Sequence, residues 1–512
     1  MTDKNIGNKQ IAKNIIFQMF SFGINMAISL LFTPYLIKTL GNEVYGFFPL
    51  TNNIIGYSSI ISIAITSMAG RFIIMQLYNG DKYKAQVYFN SVIAANIVLS
   101  IFFTFIATIL VLYLNSILNI PNGLLSDVQW LFALTFLCTI VALPVGVFSV
   151  GTHVKNRLDL NSYNQLINNV IRIVFILILF YLFKPNLIFI GISAFLASIF
   201  SVGYSVHLRK KLLPEFEINI RRYYSWAAIK TLLSSGMWNS LNQLSIVLLN
   251  QVDLLITNIF ISAVATSEFA IAKTMPHLIL SMLTVLSGSF LPTMNILYAR
   301  GEKESLLVEI NKSIKVVGLI IGIPIGLLLV FGESFFNLWV PGQDSEKLFL
   351  LSGLTLVPMI IGCSVNPLFG VFSITNKLRI PSIVLLISGV LNTAIIFVLL
   401  KLTNLGIWAI PITSAFQMII RNGLFTTIYG AKCLNIRWSY FFPAMLKCIL
   451  CITFIVIVSS IIHYLNPIDS WIAFVYSCAL ATVISFLINI NIMFKRKERI
   501  SIINKVKQRF RL

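Results

Sequence analysis

The chain has 512 residues, of which 57% are hydrophobic and only 11% charged, with a formal net charge of +21. A soluble protein carries roughly 25% charged residues, so a soluble fold is excluded. Long, predominantly apolar runs such as 170–183 and 446–462 exclude a transmembrane barrel, whose strands alternate apolar and polar residues. The positive charge is spread over many short gaps rather than gathered on one face, which fits the positive-inside rule and speaks against nucleic acid.

A membrane-spanning helix needs about 20 mostly apolar residues. Fourteen such stretches follow one another at 14–38, 46–70, 87–114, 128–151, 162–183, 187–207, 231–256, 268–297, 313–335, 348–372, 381–400, 405–429, 443–465 and 471–494. The first follows Lys4, Lys9 and Lys13 and runs to about Leu40. That is too long for a signal-peptide core of about 7–15 residues, so it reads as the first span. Gly and Pro punctuate the gaps, as in Asn119-Ile-Pro-Asn-Gly and Val340-Pro-Gly.

Lys and Arg fall almost entirely in every second gap: 32 lie on one side, and only Lys38, Lys184, Lys347 and Lys401 on the other. This asymmetry predicts an even number of spans with both termini in the cytoplasm. No loop is large enough for a soluble domain. The tail 495–512 interleaves eight basic residues with Ile500, Ile502, Ile503, Val506 and Phe510. It reads as an interfacial helix on an anionic leaflet or as a basic end that fixes topology.

The chain also repeats itself. Gly146-Val-Phe-Ser149 and Gly370-Val-Phe-Ser373 each close a span, each follow a proline (Pro144, Pro367), and each precede a short basic gap (Lys155 and Arg157; Lys377 and Arg379). The offset is six spans. An even offset gives both copies one orientation, hence a parallel repeat about an axis along the membrane normal. The predicted architecture is all-α: an N-lobe at 1–229, a C-lobe at 230–430, two extra spans at 431–494, and the basic tail.

Function must then lie in the polar groups that interrupt the spans, because a charge at a helix centre costs roughly 2.5–3.5 kcal/mol. Arg172 lies mid-span, and Asn168, four residues earlier, shares its face. Asn239, Gln243, Asn250 and Asp253 keep to one side of span 7, with Asn242 and Gln251 widening the stripe. Such a stripe either lines an aqueous cleft or bonds to another helix, and the cleft is the expectation taken here. Gln18, Ser21, Asn25 and Ser29 make a weaker version in span 1. Lys273 and His277 share a face of span 8, and Asp253 is placed to pair with Lys273 as an ion pair or coupling site. Arg71 follows Ala69-Gly70 and joins the cavity candidates, whereas Arg300 and Arg421 sit near inner ends where long side chains snorkel. Cys448 and Cys451 form a CxxC inside an apolar run with no second pair, and the four histidines show no ligand spacing. No metal, cofactor or catalytic group is expected, and no GxxxxGK[ST] phosphate loop is present.

The segment Phe32-Thr-Pro-Tyr-Leu-Ile-Lys-Thr-Leu-Gly-Asn-Glu-Val-Tyr-Gly46 resembles the end of span 1 and the first outer loop of Wzx-type O-antigen flippases. These form the polysaccharide-transporter branch of the multidrug/oligosaccharidyl-lipid/polysaccharide exporter superfamily. Leu254-Leu-Ile-Thr through Ser267-Glu-Phe269 is a looser second-lobe counterpart, lacking the Gly and Tyr. The resemblance implies a bacterial inner-membrane flippase that moves undecaprenyl-diphosphate-linked oligosaccharide to the outer leaflet by alternating access. It implies membrane lipids as surroundings, a polymerase and chain-length proteins of the same pathway as partners, and cationic cavity groups meeting the diphosphate or acidic sugars. Two rival readings are a drug/cation antiporter of the same superfamily and a membrane glycan polymerase or glycosyltransferase. The first usually has an acidic cavity and twelve spans. The second needs a large outer loop, and the outer gaps at 115–127 and 332–347 are short.

Overall fold

The structure is a computed structural model that describes residues 2–494. The basic tail, with the interfacial role expected of it, lies outside the described residues. Among the described residues every regular element is a helix. The principal helices are α1 Thr2–Leu40, α2 Phe47–Gly56, α3 Ser59–Tyr78, α4 Lys82–Leu112, α5 Leu125–Ala142, α6 Leu158–Leu182, α7 Leu187–Leu212, α8 Trp226–Asn250 and α9 Val252–Phe260. They continue with α10 Ala263–Gly288, α11 Leu291–Ala299, α12 Lys303–Trp339, α13 Ser345–Ile374, α14 Arg379–Leu402, α15 Ala409–Ile420, α16 Thr427–Cys433, α17 Phe442–Leu465 and α18 Trp471–Met493.

Among the described residues twelve helical stretches are individually long and apolar enough to span a bilayer, and α8 with α9 forms a thirteenth, bent by 41°. The twelfth expected span, 405–429, is helical but interrupted. Between α15 and α16 the chain runs as a π-helix over Arg421–Thr426, where Thr426 and Thr427 hydroxyls donate to the carbonyls of Arg421 and Asn422.

Two compact units divide the chain, Met1–Glu268 and Phe269–Leu512. By their contacts α8 and α9 lie in the first unit, which therefore reaches further along the chain than the repeat boundary at 229/230. In the first unit α8 packs along α3. A Cβ at Gly236 would stand 1.9 Å from the Ala64 carbonyl oxygen, so only glycine permits this approach. In the second unit α12 is the central helix, packed on α13, α17 and α18. Gly318, Gly322 and Gly326 recur every four residues on the α12 face that meets α17, and an added Cβ at Gly318 would lie 2.4 Å from the Cys448 Sγ. The two helices beyond the repeat are thus built into the core of this unit, and the CxxC cysteines are buried there.

The repeat is visible in its caps. Asn156 and Asn376 both take left-handed φ values, 51° and 53°. The following amides reach back to close the helix, Arg157 N to Thr152 O and Lys377 N to Phe372 O. The copies differ just upstream. In the second, α13 runs unbroken through Gly370–Ser373. In the first, the helix breaks after Ala142 into a 3₁₀ turn, Gly146–Ser149. Helix α4 satisfies two carbonyls next to the break: Asn96 Nδ2 donates to Leu143 O and Ser100 Oγ to Ile140 O.

Candidate functional site

The break opens a compartment. Inside the first unit a cavity of about 700 Å³ is walled by α3 (Ser62, Thr66, Ser67), α5 (Thr135, Cys138, Thr139), the broken segment (Gly146, Ser149), α6 (Asn168, Arg172) and α7 (Ser198, Ser201), with Asn52 from α2. A second chamber of about 340 Å³ shares Gly146, Ser149 and Ser201, and continues toward the Arg157 end of α6 past Asn161, Asn164, Gln165 and Ser205. Only 11% of the most apolar window of α6 is buried within the protein, so its apolar residues face outward while Asn168 and Arg172 turn in. This amphipathic division is what lets one helix carry a cation at mid-span.

Arg172 is the one charged group among the described lining residues. Its Nε is buried with no hydrogen-bond partner, and its guanidinium carbon stands 5.8 Å from the Phe48 ring centroid. A cation–π contact returns about 1–2 kcal/mol, whereas taking an ion out of water costs several kcal/mol. The difference must be met from within the cavity, by water or by an anion. Asn168 shares the face of Arg172, as its spacing predicted, and is fixed by donation from Nδ2 to Ala197 O at 3.0 Å.

The other sequence candidates are placed differently. Asn25 accepts from Asn169 Nδ2 at 2.6 Å and so joins α1 to α6, while Gln18 is exposed. The amide stripe on α8, expected to face an aqueous cleft, is largely taken up by α3. Asn239 Nδ2 donates to Ser67 Oγ and Gln243 Nε2 to Ser59 Oγ, each at 3.1 Å, and Ser240 Oγ donates to Ile60 O at 2.7 Å. Because Ser67 lines the cavity, Asn239 adjoins its wall. Asn250 Nδ2 donates to Ile246 O in its own helix. At the α8–α9 bend the Gln251 carbonyl accepts from Asn53 Nδ2 and Tyr57 OH. Asp253 is buried in the first unit. Lys273, in the second, has its Nζ 5.2 Å from the Phe269 ring centroid, and His277 and Arg71 are exposed.

Sequence reasoning missed the hydroxyl wall. Thr135, Cys138, Thr139 and Ala142 follow helical spacing, as do Ser198, Ser201 and Ser205. Small polar residues are cheap within a span and draw no notice, so only their shared face could have signalled them. Arg421 was also misjudged. It does not simply snorkel: its Nε donates to Asn422 Oδ1, and its Nη1 is buried without a hydrogen-bond partner in the π-helical segment. Among the described residues no group of His, Cys, Asp and Glu could hold a metal ion.

A polytopic helical bundle with a polar chamber inside one of its units defines a multi-pass membrane protein. The chain belongs to the family described as polysaccharide biosynthesis protein, whose pattern matches residues 11–297. It is 27% identical over 461 residues, 90% of each chain, to the uncharacterized membrane protein EpsK of Bacillus subtilis (strain 168). Among solved structures its fold is similar to the lipid II flippase MurJ in an inward closed conformation, with TM-score 0.65 and 14% identity, covering 93% of this chain and 98% of that one. It is also similar to an inward-facing multidrug resistance MATE family transporter of the MOP superfamily, with TM-score 0.63 and 14% identity over 82% and 98%. These likenesses establish the fold.

Proposed function

We propose that the protein is a flippase for polyprenyl-diphosphate-linked oligosaccharide, of the undecaprenyl type, carrying repeat units of a surface polysaccharide across the bacterial cytoplasmic membrane. The single observation that carries this reading is the chamber around Arg172. Its walls offer hydroxyls and amides, which suit a sugar, and a lone guanidinium, which suits an anion. A glycan cannot cross about 30 Å of hydrocarbon unless polar walls replace its water, whereas the polyprenyl tail can stay in lipid. The absence of a carboxylate among the lining residues speaks against the cation antiporter, whose substrate needs negative charge. Both termini are assigned to the cytoplasm by the distribution of basic residues, and the exchange of access is assigned to rocking of two lobes.

The test is a reconstituted flipping assay with fluorescent undecaprenyl-diphosphate oligosaccharide in proteoliposomes. Wild type should expose the headgroup to an external quencher or glycosidase. Arg172→Gln should lower the rate at least tenfold, the worth of one charge-assisted contact of about 1.5–3 kcal/mol, with insertion unchanged. No movement above protein-free vesicles, together with tight binding of hydrophobic cations, would contradict the flippase and favour the antiporter.

A further inference from the structure

The two chambers of the first unit meet at the broken segment, where both are lined by Gly146, Ser149 and Ser201. We infer that Gly146 sets the bore of a neck joining the chambers, and that Asn96 and Ser100 of α4 are the positioning residues that hold the neck open. The inference deepens the flippase reading and rests on it for the cargo; the neck itself belongs to the bundle, whatever passes.

The break starts at a proline. Pro144 has no N–H, so the Ile140 carbonyl one turn earlier loses its helical partner. Ser100 Oγ donates to that carbonyl at 3.1 Å. The Leu143 carbonyl accepts from Asn96 Nδ2 at 2.9 Å and from the Gly146 amide at 3.1 Å, which begins the 3₁₀ turn Gly146–Ser149. Ser149 Oγ closes the turn by donating to Gly146 O at 2.8 Å. The tetrapeptide does not demand this shape. The same Gly-Val-Phe-Ser at 370–373 is α-helical within α13, which also contains Pro367, and there Cys363 and Ser364 bond back to their own helix at Ile360 O and Ile361 O. The break therefore follows the two bonds from α4. They fix a turn of two faces. Val147 and Phe148 are buried, with the Phe148 ring stacked on Phe89 of α4 at 5.8 Å, whereas Gly146 and Ser149 are exposed toward the chambers. Gly146 has no left-handed φ, so the backbone does not require glycine there. An added Cβ would meet nothing within 4 Å, so packing does not require it either. What the missing side chain provides is open width at the junction. The second chamber lies toward the Arg157 end of α6, which the basic residues assign to the cytoplasm. A cargo entering by that chamber passes Gly146 before it reaches Arg172.

Cross-linking across the neck tests this. In the full chain with Cys363, Cys433, Cys448, Cys451 and Cys478 replaced, Cys138 lines the first chamber and Gln165→Cys adds a thiol to the second. Bifunctional methanethiosulfonates of graded length are applied in nanodiscs, and bridged peptides are quantified by mass spectrometry. The parent should be bridged, and Gly146→Ala nearly as well. Gly146→Leu and Gly146→Trp should lose bridging progressively, by about tenfold in rate for Trp. Asn96→Leu combined with Ser100→Ala should also lower it. In every variant each thiol should still react with a small monofunctional reagent, and melting curves check the fold; Gly146→Leu decides if Gly146→Trp does not fold. Undiminished bridging in the folded Gly146 variants would overturn the assignment of Gly146, and undiminished bridging in the α4 double variant would overturn the positioning role. No bridging at any length, with both thiols labelling singly, would overturn the neck. The proteoliposome assay tests the flippase reading separately. Headgroup movement without bridging would remove the neck alone, and bridging without headgroup movement would remove the flippase reading and leave the neck.

Discussion

Gly236→Ala puts a number on the α3–α8 contact. The added Cβ would stand 1.9 Å from the Ala64 carbonyl oxygen, against 3.4 Å for an ordinary contact, so α8 must retreat locally by about 1.5 Å. The obstacle is backbone, so no side chain can swing aside to relieve it. That retreat breaks the Ser240–Ile60 bond at 2.7 Å and strains the Asn239–Ser67 and Gln243–Ser59 bonds at 3.1 Å. Interhelical hydrogen bonds in a membrane average about 0.6 kcal/mol, so three cost about 2 kcal/mol, and lost packing adds to this. The helix propensity of alanine returns only about 1 kcal/mol. Net destabilisation should therefore exceed about 1 kcal/mol and lower the melting temperature by at least about 1 °C. Intrinsic tryptophan fluorescence in nanodiscs reads the melt. Gly203→Ala is the control, since nothing lies within 4 Å of its added Cβ. Disulfide formation between cysteines placed at Ser67 and Asn239 should also slow in the Gly236→Ala background. An unchanged or raised melting temperature with undiminished crosslinking would refute the packing of α8 on α3.

At the basic end of α4, Lys82 Nζ lies 2.6 Å from Glu215 Oε2, and that hydrogen bond and charge hold the Glu215 carboxyl below its usual range. A depressed carboxylate contributes above its unfolded pKa and loses that contribution as pH falls through the folded value. The protection of segment 213–225 against hydrogen exchange, relative to the intrinsic rate at each pH, should therefore fall modestly in acid and at high salt; Gln86 and Asn90 also tie this segment to α4 through the carbonyls of Glu215 and Glu217. Glu215→Gln should remove that added sensitivity, and an unaltered pH response in the variant would assign it elsewhere.

Much of the architecture was legible because it follows from hydrocarbon thickness and from the cost of placing Lys and Arg on one side. The span order came from those constraints and the parallel repeat from the matching Gly146–Ser149 and Gly370–Ser373 segments, and the paired Asn156 and Asn376 caps show the repeat in the backbone. The twelfth span was harder to read: hydropathy counts apolar residues but is blind to a π-helical turn around Arg421. Arg172 and Asn168 were legible as a cation and an amide on one face. The fate of the α8 amides was not, since a polar stripe is equally served by water or by serines on the next helix. Gly236 decided between them, and a glycine in an apolar span carries no sign of what it approaches. The hydroxyl wall lay hidden because threonine and serine can bond to their own helix, as Thr135 does to Leu131 O, and so cost little wherever they point.

The central claim is that the interior of the first unit holds water and polar headgroup around Arg172. Cysteine accessibility tests it most directly, with single cysteines at Thr139, Ser198 and Ser201 in the chamber and at Leu177 and Ile178 on the exposed apolar surface of α6. A membrane-impermeant thiol reagent should modify the three chamber positions, more slowly when lipid-linked glycan is present, and should leave Leu177 and Ile178 unmodified. If the chamber positions stay unreactive under every condition that supports transport, the substrate crosses elsewhere and the account is wrong.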